Sequence, residues 1–473
     1  MPLPRHAWTR TRGAGRARRE YRVLNIPREQ WSSRHGFLLA TIGGAVGIGN
    51  LWRFSYVAGE NGGAVFLLIY LVCIVLIGLP LMIAELALGR RAQGDAITAF
   101  DTGESGRRPA AGWRGLGWLA VIAAALLLSY YSVIGGWALK YLAGAVTGAL
   151  WQTVGTDYGG YFRLFIAQPA EPLIWQASML ILAVLAVAGG IRQGIERINR
   201  LLVPFLGLII FALAAYALSL PGSGAGIRFL FAPDWSVLAQ PGVYAAALGQ
   251  AFFSLGLGMA FFITYGSYMP RTFALPACAA TIAVGDTLFA LIAGLAIFPA
   301  VFALGGDPAA GPQLAFITLP QIFLQMPAGY LVGAIFFFLL CTAAATSMIA
   351  LLEIPVAALT HRMKLRRAPA TLGMGLLVFL IGVPSALSFG VLGELRIGSL
   401  GILDAIDSGV SNFVLPVIGI GTALYVGWGL RRATALAESE LGDGRLGRTW
   451  LWLVRAVVPV MILLILLQST GLF

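Results

Sequence analysis

A chain of 473 residues that is 59% hydrophobic and only 11% charged is not an ordinary soluble domain, because such domains carry about 25% charged residues. In a soluble chain its net charge of +12 would point to nucleic acid. Here the basic residues instead crowd alternate loops between uncharged runs long enough, at about 20 residues, to cross a bilayer. Composition excludes a soluble enzyme and predicts a polytopic, all-α membrane protein.

Residues 1–35 hold nine arginines against Glu20 and Glu29. With no apolar h-region they read as a basic cytoplasmic tail without a cleavable signal peptide. Eleven spans are predicted over 36–58, 64–89, 115–145, 173–190, 196–220, 242–268, 276–303, 329–359, 367–386, 399–430 and 448–470. Basic clusters at Arg90/Arg91, at Arg192/Arg197/Arg200 and at Arg362/Lys364/Arg366/Arg367 mark alternate loops. By the positive-inside asymmetry the N-terminus is expected in the cytoplasm of a cell-membrane protein. An odd number of spans then puts the C-terminus outside. Residues 431–447 read as a polar cytoplasmic loop that contains no separate domain, and 448–473 as an additional transmembrane helix. Cys73, Cys278 and Cys341 all fall in apolar stretches and read as small core residues.

The first span contains Gly43-Gly44-Ala45-Val46-Gly47-Ile48-Gly49-Asn50-Leu51-Trp52-Arg53. Glycine lowers the cost of leaving helical φ/ψ. Unwound backbone at membrane depth is tolerated only where it is buried in protein or lines a wet cavity. A close helix–helix contact is the other reading of the same glycines. Five segments later a second Gly-interrupted span carries Gly249-Gln250-Ala251-Phe252-Phe253-Ser254-Leu255-Gly256-Leu257-Gly258-Met259. Two broken helices in corresponding positions point to inverted five-helix repeats, 36–220 and 242–430, around a midplane site.

Ionisable residues inside spans are costly and mark functional positions. Arg53 and Asp407 stand at similar depth and are expected to pair, either as an outer gate or as a static bridge. Asp286 is expected to bind a cation, with Asn50 and Ser254 as further oxygens, or to be held protonated. Thr346-Ser347 is a possible second oxygen cluster, although such hydroxyls commonly bond back to their own helix. Tyr131 could meet a ligand carboxylate. Glu85 and Glu353 read as structural. Gly194 and Pro204 bracket nine residues that a kink, or a transient unwinding, would exploit.

Taken together, these motifs with Glu60-Asn61-Gly62-Gly63-Ala64 resemble the neurotransmitter:sodium symporter family, in particular its bacterial leucine-transporter-like members, over residues 28–468. The resemblance implies Na⁺-coupled uptake by alternating access, with residues 36–430 as transporter core. A first sodium would meet Ala45, Asn50, Ser254 and Asp286. A second would meet Gly43, Val46, Ala343, Thr346 and Ser347. Substrate would contact Ala45, Gly47, Ile48, Gly49, Tyr131, Phe253, Ser254, Gly256, Met259, Ser347 and Leu351. Arg53, Gln250 and Asp407 would form the outer gate, and Arg28, Trp31 and Tyr268 the inner one. Gly194 and Pro204 would frame the segment that unwinds to release the second sodium.

Some departures from the family's pattern carry meaning. Gly47 replaces the aspartate of the monoamine members and favours an α-amino acid. Gly256 and Met259 soften the pocket toward branched or aromatic side chains. His361 occupies the place of the aspartate partner of Arg28. Asp286 with Ala290 predicts transport without chloride. A non-transporting amino-acid sensor and, behind it, a membrane-embedded enzyme are the competing classes.

Overall fold

The computed structural model describes residues 29–103, 111–152, 157–309 and 314–469. Arg28 and most of the basic tail lie outside them. The fold is helical, with one two-residue hairpin pairing Arg396–Ile397 against Leu400–Gly401. Among the described residues nine helices are long and apolar enough to cross a membrane, and one bent pair adds a tenth.

That pair is α1, Arg34–Ala45, and α2, Gly49–Glu60, bent by 54°. Ser33 starts α1 by accepting the Gly36 amide at 3.0 Å, which satisfies one of the first-turn donors that have no partner within the helix. The helix stops at Val46, whose backbone is extended. Then follow α3 (Ala64–Ala92), the short α4 (Ala96–Asp101), α5 (Ala111–Thr147), α6 (Glu171–Ala188) and α7 (Ile191–Ser219).

The predicted segment 242–268 is two helices, α8 (Pro241–Leu255) and α9 (Phe261–Gly266). Neither is long enough to span alone, so eleven is reached only if the pair is taken as one. Five residues separate them, with left-handed backbone at Gly256 (φ 71°), Gly258 (φ 74°) and Ala260 (φ 58°). The remaining elements are α10 (Leu275–Ala303), α11 (Leu314–Gln325), α12 (Gly329–Arg362), α13 (Arg367–Leu387) and α14 (Ile402–Gly429), α15 (Arg432–Glu438) and α16 (Arg445–Gln468).

The loop expected at 431–447 is therefore partly helical, and it is pinned. Glu440 accepts from buried Arg90 at 2.6 Å and from the Leu275 amide at 2.8 Å. An anchored turn can hold helix where a free polar loop would not.

Helix α12 is the axle. Its most apolar window is 89% buried and that of α5 78%, against 28% for α7 and for α16. The outer faces of α7 and α13 expose Leu201, Leu208, Phe211, Leu372, Leu376 and Leu380. Those faces suit a lipid surround, whereas α5 packs against α12, and α12 against α1 and α9.

Candidate functional site

The two helix breaks meet. At the first, Gly47 and Asn50 lock to each other: the Gly47 amide donates to Asn50 Oδ1 and the Asn50 amide to the Gly47 carbonyl, both at 3.2 Å. The Ile48 amide donates to the Tyr131 hydroxyl of α5 at 3.0 Å. At the second, Ser254 closes α8. Its hydroxyl donates to Asp286 Oδ2 of α10 at 2.7 Å and accepts from Asn50 Nδ2 at 3.0 Å. Asn50 Nδ2 also reaches Asp286 Oδ1 at 2.8 Å. All three side chains are essentially without solvent contact. Asn50, Ser254 and Asp286, predicted to act together, are thus one cluster.

Beside it lies a small cavity. Its walls include Ala45, Gly47, Gly49, Tyr131, Phe253, Gly256, Met259, Ser347 and Leu351. Ile48 and Ser254, also predicted to touch substrate, stand behind the wall and join it through the bonds just given. Gly44, Leu127, Phe261 and Ala350 line it without having been foreseen. A side chain at Gly47 would collide with Ser347 Oγ and stand 2.7 Å from the Tyr131 hydroxyl. Any larger residue there would have to displace the ends of those two side chains.

The second predicted cluster is less assembled. Thr346 is fully buried, but its hydroxyl bonds back to Ala343 O (3.0 Å) and Thr342 O (3.2 Å). Gly43 and Val46 lie on the α1 side, at the end of that helix.

On the outer side, Arg53 donates to Gln250 Oε1 at 2.7 Å and lies over the Phe253 ring at 4.8 Å. Gln250 returns a bond to the Gly49 carbonyl at 3.2 Å. A direct Arg53–Asp407 bridge is not made among the described residues. Asp407 instead accepts from Ser411 at 2.9 Å, and the Tyr130 hydroxyl lies 3.3 Å from Ser411 Oγ. Tyr56 lies beside Arg53 and Tyr130 beside Asp407.

The inner side joins Trp31 and Tyr268, expected there, to Glu353, which the sequence reading treated as structural, and to Arg367 and Glu29. Trp31 Nε1 donates to Tyr265 O at 3.0 Å, and its amide to Tyr268 O at 3.2 Å. The Tyr268 hydroxyl donates to Glu353 at 2.6 Å. Glu353 pairs with Arg367, which also reaches Glu29 at 3.6 Å.

His361, placed by resemblance opposite Arg28, points elsewhere: its Nδ1 is 2.7 Å from Asp95 Oδ2. Burial tends to raise the Asp95 pKa. Hydrogen bonds from His361 and Thr98 with the Arg362 charge outweigh it and hold the carboxyl at about 2. Glu85 is no bystander either, since its Oε1 accepts the Gly258 amide at 2.9 Å and anchors the second break. Gly194 and Pro204 both lie within continuous helix, a wide turn over Ile191–Glu196 followed by the regular part of α7. The stretch between them is wound here.

The sequence model of the Sodium:neurotransmitter symporter family matches residues 28–160 and 168–471. The chain belongs to that family. It is a sodium-dependent transporter, not an enzyme. The symporter is 38% identical over 446 residues to the uncharacterized sodium-dependent transporter YhdH of Bacillus subtilis (strain 168), covering 93% of this chain and 98% of that one. It is 31% identical over 452 residues to an uncharacterized sodium-dependent transporter of Haemophilus influenzae, covering 94% and 99%. Among solved structures it is similar to MhsT in complex with L-phenylalanine: TM-score 0.86, 49% identity, 93% of this chain and 100% of that one.

Proposed function

We propose that this symporter takes up a hydrophobic L-amino acid, branched or aromatic, together with two sodium ions, by alternating access and without chloride. The observation that carries the reading is the Asn50–Ser254–Asp286 cluster, set where both helix breaks meet and against the cavity. A carboxylate buried with only an amide and a hydroxyl for company is costly. A monovalent cation among these oxygens removes that cost, and oxygen ligands suit a hard cation. The first sodium would use Asn50, Ser254, Asp286 and the Ala45 carbonyl. The second would use the carbonyls of Gly43, Val46 and Ala343 and the hydroxyls of Thr346 and Ser347.

The substrate carboxylate would sit at the start of α2, where the amides of Ile48 and Gly49 and the Tyr131 hydroxyl converge. Gly47 leaves no acidic group to replace that carboxylate, which favours amino acids over amines. Gly256 and Met259 at the cavity wall leave soft, apolar room for the side chain. That MhsT was crystallised with L-phenylalanine agrees with an apolar amino acid. Asp286 supplies the negative charge that a chloride ion would otherwise contribute, and Ala290, one turn on, offers no hydroxyl to hold one. Residues 36–430 would form the transporting core in a cell membrane, with the N-terminus cytoplasmic, the C-terminus outside and the helix at 448–473 beyond the repeats.

The test is uptake of labelled amino acids into proteoliposomes. Flux driven by a Na⁺ gradient and unchanged when gluconate replaces chloride is expected. Flux without sodium defeats the coupling, dependence on chloride defeats the role given to Asp286, and sodium-dependent binding without flux makes the protein a sensor.

A further inference from the structure

One polar group near the second sodium cluster has no partner. Asn199 on α7 is fully buried. Its Nδ2 is committed to the Ile195 carbonyl one turn back, at 2.9 Å. That fixes the carboxamide so that Oδ1 faces away from its own helix, and Oδ1 accepts no hydrogen bond. It sits in the notch left by the missing side chain of Gly43: a Cβ there would collide with Asn199 Oδ1. One turn nearer the helix start, Glu196 does the same against Gly36, where it accepts from the Ser32 amide at 2.9 Å and the Ser32 hydroxyl at 2.6 Å. The seam between α1 and α7 thus carries, at the end near Ser32, a Glu196 carboxylate paired with Arg200, which also donates to the Ser32 and Ser33 hydroxyls at 2.9 Å, and, further in beside Gly43, a bare carboxamide oxygen.

We propose that Asn199 Oδ1 is a transit ligand for sodium, holding the ion along this seam between the second sodium site and the cytoplasm. The idea rests on the reading that Gly43 belongs to that site. A buried acceptor without a donor carries a desolvation cost that ordinary packing would have removed. A passing cation supplies what the oxygen lacks. Asn199 stands midway between Gly194 and Pro204, five residues from each. Proline at 204 withholds the amide that would otherwise bond the Arg200 carbonyl, so the stretch that carries Asn199 is the part of α7 best able to loosen and admit the ion. The Asn199 oxygen then serves the inward-facing side of the cycle and not the outward-facing one.

That one-sidedness is what an experiment can read. Right-side-out membrane vesicles are loaded with increasing NaCl, and Na⁺-driven uptake of radiolabelled L-phenylalanine is measured until lumenal sodium halves it. Asn199→Ala is expected to raise the half-inhibiting lumenal concentration by roughly five- to tenfold, the worth of one oxygen ligand. The external sodium needed for half-maximal uptake should stay within about twofold of wild type. Asn199→Asp keeps the shape, adds charge and should move the lumenal value down.

A lumenal value that does not move overturns the proposal. So does an equal shift on both faces, which would make Asn199 a packing residue that fills the Gly43 notch. If the alanine variant does not assemble, the aspartate arm decides alone, and an unchanged lumenal value there overturns the proposal. Wild-type uptake indifferent to sodium would show up separately, as failure of the sodium-coupled reading, and would take this inference with it.

Discussion

The two closures of the cavity are built differently. At the end proposed to face the cytoplasm, Trp31, Tyr268, Glu353, Arg367 and Glu29 form a continuous chain of bonds from the first described residues through α9, α12 and α13. Toward the outer ends, Arg53 binds Gln250 and Asp407 binds Ser411, and the two halves are not directly joined. One face is locked by a buried ion pair, the other by two separate polar clusters. We infer that the proposed binding site, shut firmly on one side and held lightly on the other, exchanges ligand with the lightly held side.

The largest effect is expected from removing what both closures enclose. Asn50→Ala should abolish Na⁺-dependent amino-acid binding in a scintillation proximity assay; retained binding would mean the first sodium lies elsewhere. Next comes the firm side. Glu353→Ala leaves Arg367 buried beside an empty partner position and frees the Tyr268 hydroxyl, a class of change that costs about 3–5 kcal/mol. Thermal melting of the purified protein should fall markedly, with Glu353→Gln recovering part of the loss. Equal melting points for all three proteins would show that the chain of bonds does not lock that face.

On the light side, Arg53→Ala deletes one charge-assisted bond, worth about 1.5–3 kcal/mol. Substrate should then dissociate outward roughly tenfold faster or more, read from dilution-induced release. A smaller structural effect is expected from Asp95→Asn, because Asp95 belongs to neither closure. A carboxyl held at about 2 when folded, against about 3.9 when unfolded, stabilises the protein fully above the unfolded value. That gain disappears as pH falls through 2. At neutral pH the variant should lose about 1–2 kcal/mol, trimmed because His361 is partly exposed, while sodium affinity stays put. A shift in sodium affinity would tie this cluster to the transport cycle after all.

Much of the site could be read along the chain, because polar residues in apolar runs stand out. Asn50, Ser254 and Asp286 were each conspicuous, and the glycines on either side marked the breaks. Glu85 and Glu353 were equally conspicuous and were read as structural, but what each one holds was not legible. Which of them reaches a helix break and which a tyrosine on the cytoplasmic face depends on how α3 and α12 are rotated. A helix buried on nearly every side, as α12 is, has no amphipathic stripe to reveal that rotation. Asn199 gave no signal at all, since an asparagine near a predicted helix end usually faces water. Arg53 and Asp407, which could pair directly or through water, make no direct bridge, because each takes a nearer partner, Gln250 and Ser411.

The sequence alone marked the apolar runs, the sidedness expected from the arginines, the two breaks and the kinds of atom available at each. These follow from hydropathy, charge and glycine content, which are local properties of the chain. Only the tertiary structure decided that Asn50 faces Asp286, that Glu85 holds the second break, that Arg367 locks the inner face and that the Asn199 oxygen rests against Gly43. Those contacts join residues up to several hundred positions apart. They are set by the packing of small and large side chains between helices, which the order of residues along any one helix does not record.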